Sequence, residues 1–157
     1  MTHMAPRTLA ARLTQQHVPF VLIPHRRTDT AVAEAEALGV EQWQIAKTVV
    51  LTTPEGLVLA VLPASERLDL HKVRDILGEK DVQLATEETL AGSYPEFELG
   101  AVPPISGKPG DRVLVDRRVC ENEYALLEAG THDESLRLKT SDLLVLAHAE
   151  LADLCQS

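Results

Sequence analysis

Three short stretches hold residues whose type and spacing suit chemistry. In "QIAKTVVLTTPEGLVLAVLPAS", residues 44–65, Lys47 stands at the entrance of the most strand-like run of the chain. An ammonium there either reaches solvent on its apolar stem or is fixed to meet an anion. "GAVPP", residues 100–104, joins a glycine, which permits positive φ or close backbone approach, to two prolines. Such a stiff loop leaves main-chain groups free to hold a ligand, although it also suits a simple edge loop. His132 follows Gly130 and Thr131 between two strand-like runs, where a loop residue can face a cleft or merely solvent.

Other chemistries lack their residues. The six histidines, His3, His17, His25, His71, His132 and His148, include no pair at metal-ligand spacing, and neither HExxH nor CxxC occurs. No metal and no cofactor is expected. No serine lies in a GxSxG elbow. "SGKPG" resembles a phosphate loop, but Val102 stands where the first glycine belongs and Pro109 replaces the magnesium-binding Ser or Thr. A turn is the expectation there. Cys120 and Cys155 form no disulfide framework and are read as reduced structural thiols.

The chain has 157 residues, 45% of them hydrophobic and 3% aromatic, which predicts one domain, residues 1–157, with an aliphatic core. Fifteen Lys and Arg against twenty-four Asp and Glu give a net charge of −9. That balance argues against extended contact with a phosphate backbone, so DNA is not an expected partner. Local basic clusters remain at His25, Arg26 and Arg27, and at Lys108, Arg112, Arg117 and Arg118. Without a secretory leader or a bilayer-length apolar run, the expected location is cytoplasmic, with no membrane partner.

These residues must be positioned by elements. "PRTLAARLTQQH", with Pro6 in its first turn, reads as a helix, and "PFVLIP" as a short buried strand. "TDTAVAEAEALGV" reads as an alanine-rich helix capped among Thr28, Asp29 and Thr30 and stopped by Gly39. The Val- and Leu-rich runs on either side of Pro54, Glu55 and Gly56 predict a hairpin. "DLHKVRDILG" is a helix capped by Asp69, followed by a strand at "VQL" and a helix at "TEETLA". Further strands are expected from Arg112 to Val115, in "EYALLEAG" and in "SLRLK". "TSDLLVLAHAELADLC", capped by Thr140 or Ser141, closes the chain as a helix. The mixture predicts an α/β or α+β fold with one mixed sheet and surrounding helices.

In order and spacing, "AEALGVEQWQIAKTVVL", "GAVPPISGKPGDRVLVDRRV" and "LLEAGTHDESLRLKTSDLL" resemble the YbaK family, from about Phe20 to Leu146. That family shares its fold with the insertion editing domain of bacterial prolyl-tRNA synthetases. The resemblance is to the subgroup with "GAxPPFG", and Ile105 and Ser106 depart from it.

The resemblance implies hydrolysis of the ester between a wrongly attached amino acid and the 3′ end of a tRNA. It assigns Lys47, Gly100 and Pro104 to the reaction. His25, Thr48, Ala101, Val102, Pro103, Gly130, Thr131 and His132 are expected around the substrate. In the resembling enzymes, backbone groups of the proline loop hold the water and a hydroxyl of the terminal adenosine assists. An aminoacyl ester is already activated, so a positioned water and oxyanion stabilisation suffice without a triad. The expected activity is free-standing editing of tRNA for proline carrying a small wrong amino acid, gripped by its acceptor end, with an aminoacyl-tRNA synthetase as a further partner to expect. The alternative is a non-catalytic protein that holds a nucleotide or small anion in the same cleft.

Overall fold

Two β-branched and leucine-rich runs joined by a tight turn organise the larger sheet. β2 (Ala46–Thr53) and β3 (Gly56–Pro63) pair antiparallel from Ala46 opposite Pro63 to Thr53 opposite Gly56, with Gly56 at φ +132°. The computed structural model describes residues 9–105 and 111–157. The phosphate-loop-like residues 106–110, Ser106 among them, and Pro6 lie outside the described residues. The helix expected to begin at Pro6 is described as α1 (Leu9–Gln15).

β4 (Gln83–Leu84) flanks β2 antiparallel. β5 (Arg112–Asp116) lies parallel to β3, and β8 (Glu150–Ala152) parallel to β5. The order of this five-stranded sheet is β4-β2-β3-β5-β8. β1 (Phe20–Pro24), β6 (Tyr124–Glu128) and β7 (Glu134–Lys139) form a separate antiparallel sheet in the order β1-β7-β6. The fold is α+β as expected, but the strands divide into two sheets, linked by a parallel bridge between Ile45 and Leu126.

Both faces of β2 and β3 are covered. Ala46, Val50, Leu59 and Val61 face a core shared with Leu127, Leu136 and Leu138 of the smaller sheet. Leu51, Val58 and Ala60 face a second core with Val73 of α3 (Leu70–Leu77), whose N-cap Asp69 accepts from the amides of His71 and Lys72. Strands buried on both faces read as continuous apolar runs, which is why this hairpin stands out in the sequence. α4 (Glu87–Ser93) starts at Thr86, whose side chain caps it through Thr89 N.

Three expectations fail for non-local reasons. β1 is an edge strand, so Val21 and Leu22 are 47% and 39% exposed rather than buried. The last helix, α5 (Thr140–Leu146), stops early: His148 takes φ +50° and the chain returns as β8 against the open edge of β5. Neither Thr140 nor Ser141 caps it, because Lys139 holds the cap position and the Thr140 hydroxyl donates to the Asn122 carbonyl at 2.6 Å. Cys155 is a buried thiol, whereas Cys120 is exposed and gains no structural role from burial. Among the described residues no helix is long and apolar enough to cross a membrane.

Candidate active site

An alanine-rich helix leaned against the smaller sheet creates the site. α2 (Ala31–Leu38) begins at Thr30, whose Oγ1 accepts from Ala33 N at 3.1 Å, and ends at Gly39 with φ +69°. Its buried stripe includes Ala35 and, unexpectedly, Glu34, which is 1% exposed. Small side chains let helix and sheet approach, and the carboxylate goes in with them. Ser135 of β7 bonds Glu34 Oε2 at 2.5 Å, and His25 Nε2 lies 2.9 Å from the Ser135 hydroxyl.

Hydrogen-bond roles constrain this trio. His25 Nδ1 sits 2.6 Å from the Arg26 carbonyl, which only accepts, so Nδ1 carries a proton. If Glu34 is ionised, Ser135 donates to it and accepts from an imidazolium; if Glu34 is protonated, the hydroxyl donates to a neutral ring. Burial pushes the Glu34 carboxyl above its ordinary range, against the pull of the Ser135 bond, His25 and His132.

A cavity of about 50 Å³ opens beside Glu34. It is lined by Ala31, Ala46, Lys47, Thr48, Leu127 and Glu128, and by residues 100–103 of the proline loop. Glu98 clamps that loop. One of its carboxylate oxygens accepts from Arg27 Nη1 at 3.0 Å and the other from His132 N at 2.9 Å. Its amide donates to Gly130 O at 2.9 Å and its carbonyl accepts from Ala101 N at 3.0 Å.

Two glycines are fixed by this arrangement. Gly100 sits at φ +82°, and Gly130, at φ +99°, faces the Phe97 ring so closely that an added Cβ would lie 2.7 Å from Cδ1. The loop is not the surface edge expected from its prolines, because Ala101, Val102 and Ile105 are all buried, while Gly100 stays exposed. Among the described residues the amides of Gly100 and Val102 have no hydrogen-bond acceptor.

His132 is nearly buried, 9% exposed, rather than an open loop residue. Its Nε2 donates to the Leu99 carbonyl at 2.6 Å. Its Nδ1 lies 3.0 Å from Glu128 Oε2 but off the line a hydrogen bond needs, and both atoms are otherwise unpartnered. Burial, then the negative charges of Glu34, Glu98 and Asp29, push Glu128 up to about 8.

A carboxyl whose pKa is raised on folding stabilises the fold fully below its unfolded value, and this contribution is lost as pH rises through the folded value. Stability should therefore fall between about pH 4.5 and about pH 8 on account of Glu128. Glu128→Gln should flatten that fall in urea denaturation measured at pH 5 and pH 8.5. An unchanged slope would mean that Glu128 ionises freely.

Lys47 lines the cavity, yet its ammonium is engaged elsewhere. Nζ donates to the Glu66 carbonyl at 2.7 Å, and among the described residues it has no carboxylate in ion-pair range. Alternation along β2 explains this, since Lys47 shares a face with Val49 and Leu51 on the second core, and Thr48 shares the opposite face with Ala46 and Val50. Burial pulls the Lys47 pKa below its ordinary value, with Arg67 acting the same way against Cys155 and Glu66.

Of the residues singled out in the sequence, Lys47, Thr48, Gly100, Ala101, Val102 and Pro103 meet at the cavity. Pro104 is buried just past its lining. His25, Gly130, Thr131 and His132 stand behind the wall, where His25 reaches Glu34 through Ser135, and Thr131 bonds Asp133 at 2.7 Å. Glu34 and Glu128 were missed. The available signal was a carboxylate on the apolar stripe of α2 and another closing the apolar run "YALLE". Among the described residues no three His, Cys, Asp or Glu are grouped to hold a metal ion.

Known proteins share this architecture. A family model described as an aminoacyl-tRNA editing domain matches residues 25–146. The chain is 30% identical to the multifunctional Ser/Thr-tRNA deacylase ProXp-y of Escherichia coli K12, over 98% of this chain and 97% of that protein. It is 26% identical to EbsC of Enterococcus faecalis, a candidate Cys-tRNA(Pro)/Cys-tRNA(Cys) deacylase, over 94% and 93% of the two chains. A crystal structure of a candidate trans-editing enzyme for prolyl-tRNA synthetase superposes with a TM-score of 0.80 at 28% identity, covering 99% of this chain and 100% of that one.

Proposed function

The chain belongs to the aminoacyl-tRNA editing domain family, and on that premise we propose that the cavity beside Glu34 is where it hydrolyses the ester of mischarged tRNA. The substrate is a small wrong amino acid on tRNA for proline, taken by its acceptor end. The observation that carries this reading is the meeting of Lys47, Thr48 and residues 100–103 around about 50 Å³ of space. That volume suits a short side chain and little more.

Among the described residues the amides of Gly100 and Val102 are donors without partners, suited to hold the attacking water or the developing oxyanion. Pro103 and Pro104 keep the loop from collapsing onto them. An ammonium has three N–H donors, and Lys47 uses one on Glu66, leaving two for an oxygen of the terminal nucleotide. A net charge of −9 fits a grip limited to the acceptor end, where few phosphates need neutralising. Specificity for one tRNA then falls to the acceptor stem or to a synthetase that presents it.

The test is a deacylation panel of Ala, Ser, Thr, Cys and Pro esters on tRNA for proline and on unrelated tRNAs. The small esters should be cleaved and prolyl-tRNA spared. Protection of every ester against hydrolysis would instead identify a binding protein, and cleavage of the proline ester would refute the size argument.

A further inference from the structure

Ester hydrolysis by a loop-held water makes no demand for two carboxylates in the cavity wall, yet Glu34 and Glu128 are both there. We propose that they receive the α-ammonium of the aminoacyl group, so that the site requires a free amino terminus. This rests on the cavity being the hydrolytic site and adds which end of the substrate each wall takes.

The wall is built for a cation. Glu34 is 1% exposed, with Ser135 bonded to Oε2 alone, and Glu128 Oε2 is buried, 3.0 Å from His132 Nδ1 but with no hydrogen-bond partner among the described residues. Among the described residues neither carboxylate has a Lys or Arg in ion-pair range. Burial, and then the negative charges of Glu34, Glu98 and Asp29, push Glu128 up to about 8, so its carboxyl is mostly protonated in the free protein at pH 7 and gives that proton to solvent when the ammonium arrives. The cation that lines the cavity, Lys47, turns its ammonium to the Glu66 carbonyl. A buried acceptor left unpaired costs free energy that an arriving donor returns, and the return is largest when the donor is charged.

The rest of the lining differs. Residues 100–103 offer main-chain amides and proline rings, with no acidic side chain. A small aminoacyl ester has one cationic end and one end that becomes an oxyanion. The carboxylates and the free amides match these ends in sign, which favours one direction for the substrate. Ser135 bonds one oxygen of Glu34, Oε2, which leaves Oε1 to accept from an ammonium.

The experiment compares two non-hydrolysable probes, adenosine bearing a 3′-amide-linked alanyl group and the same compound with a propanoyl group, which lacks only the amine. Calorimetric affinity is measured for the wild type, Glu34→Gln and Glu128→Gln, with circular dichroism as the folding check. In parallel, kcat/KM is measured for Ser-tRNA and N-acetyl-Ser-tRNA.

The wild type should favour the alanyl probe by about 10- to 100-fold, the value of one or two charged hydrogen bonds. Glu128→Gln should bring the ratio near one by weakening only the alanyl probe, and Glu34→Gln should reduce it in part. Equal binding of both probes by the wild type overturns the proposal without needing a folded variant. So does a preference that survives in both variants, or an equal loss for both probes. If the preference holds but no ester is cleaved, the ammonium site stands and the hydrolytic reading falls.

Discussion

Lys47→Met is expected to fold and to lose about 30- to 1,000-fold in deacylation rate, equivalent to about 2–4 kcal/mol of transition-state stabilisation. The stem is retained, and the folding cost is that of one unmade bond to the Glu66 carbonyl, about 0.5–1.5 kcal/mol. Lys47→Arg should be impaired as well, because a planar guanidinium cannot occupy the half-buried place of a compact ammonium. The position of Nζ on the far face of β2 sharpens the test. A residue there that served only to tie residues 63–66 to the strand would lose stability and keep its rate. Single-turnover kinetics beside urea denaturation separates the two, and wild-type turnover in folded Lys47→Met would leave Lys47 a structural tie.

Asp116→Ala should be among the most damaging single changes to stability, at about 3–5 kcal/mol. The side chain is fully buried at the end of β5. It accepts from Leu154 N at 2.7 Å, Arg118 N at 2.8 Å and Cys155 Sγ at 3.1 Å. Removing it orphans the buried Leu154 amide and the part-buried Arg118 amide and detaches the segment after β8. Burial alone would raise the Asp116 pKa, but those bonds and the Arg118 charge outweigh it and hold the carboxyl below its ordinary range. A depressed pKa gives stability that is present above the unfolded value and lost as pH falls through the folded one. The Asp116 contribution should therefore vanish in acid, below about pH 4, opposite in sign to that of Glu128. A loss under about 1 kcal/mol at pH 7 would show that water replaces the carboxylate.

Features governed by neighbours in sequence were legible. The hairpin at residues 54–56, the caps at Thr30 and Asp69, and the stop at Gly39 all follow from local backbone and side-chain rules. What depends on distant pairing was not. "ELA" carries no strand signal of its own and becomes β8 because β5 offers an edge. Val21 and Leu22 look buried until the order β1-β7-β6 leaves their strand at the margin. At the site, residue types that need special backbone or a cation were visible, namely Gly100, Pro103 and Lys47. Glu34 and Glu128 resemble ordinary surface acids until the fold carries them into the cavity wall, and only then does the unpartnered Oε2 of Glu128 mean anything.

The alanines at the cavity wall, Ala31 and Ala46, make it a sieve with one mesh. Such a sieve rejects what is too large but has no means to refuse what is smaller, and each methylene in a pocket is worth only about 1–3 kcal/mol. Proline can be kept out by its ring. Glycine, alanine and serine cannot be told apart by size to the accuracy translation requires. On this reading, sparing correctly charged alanyl- or seryl-tRNA is decided before the ester reaches the cavity, by the acceptor stem or by the synthetase that presents it, so what is delivered sets fidelity as much as the pocket does.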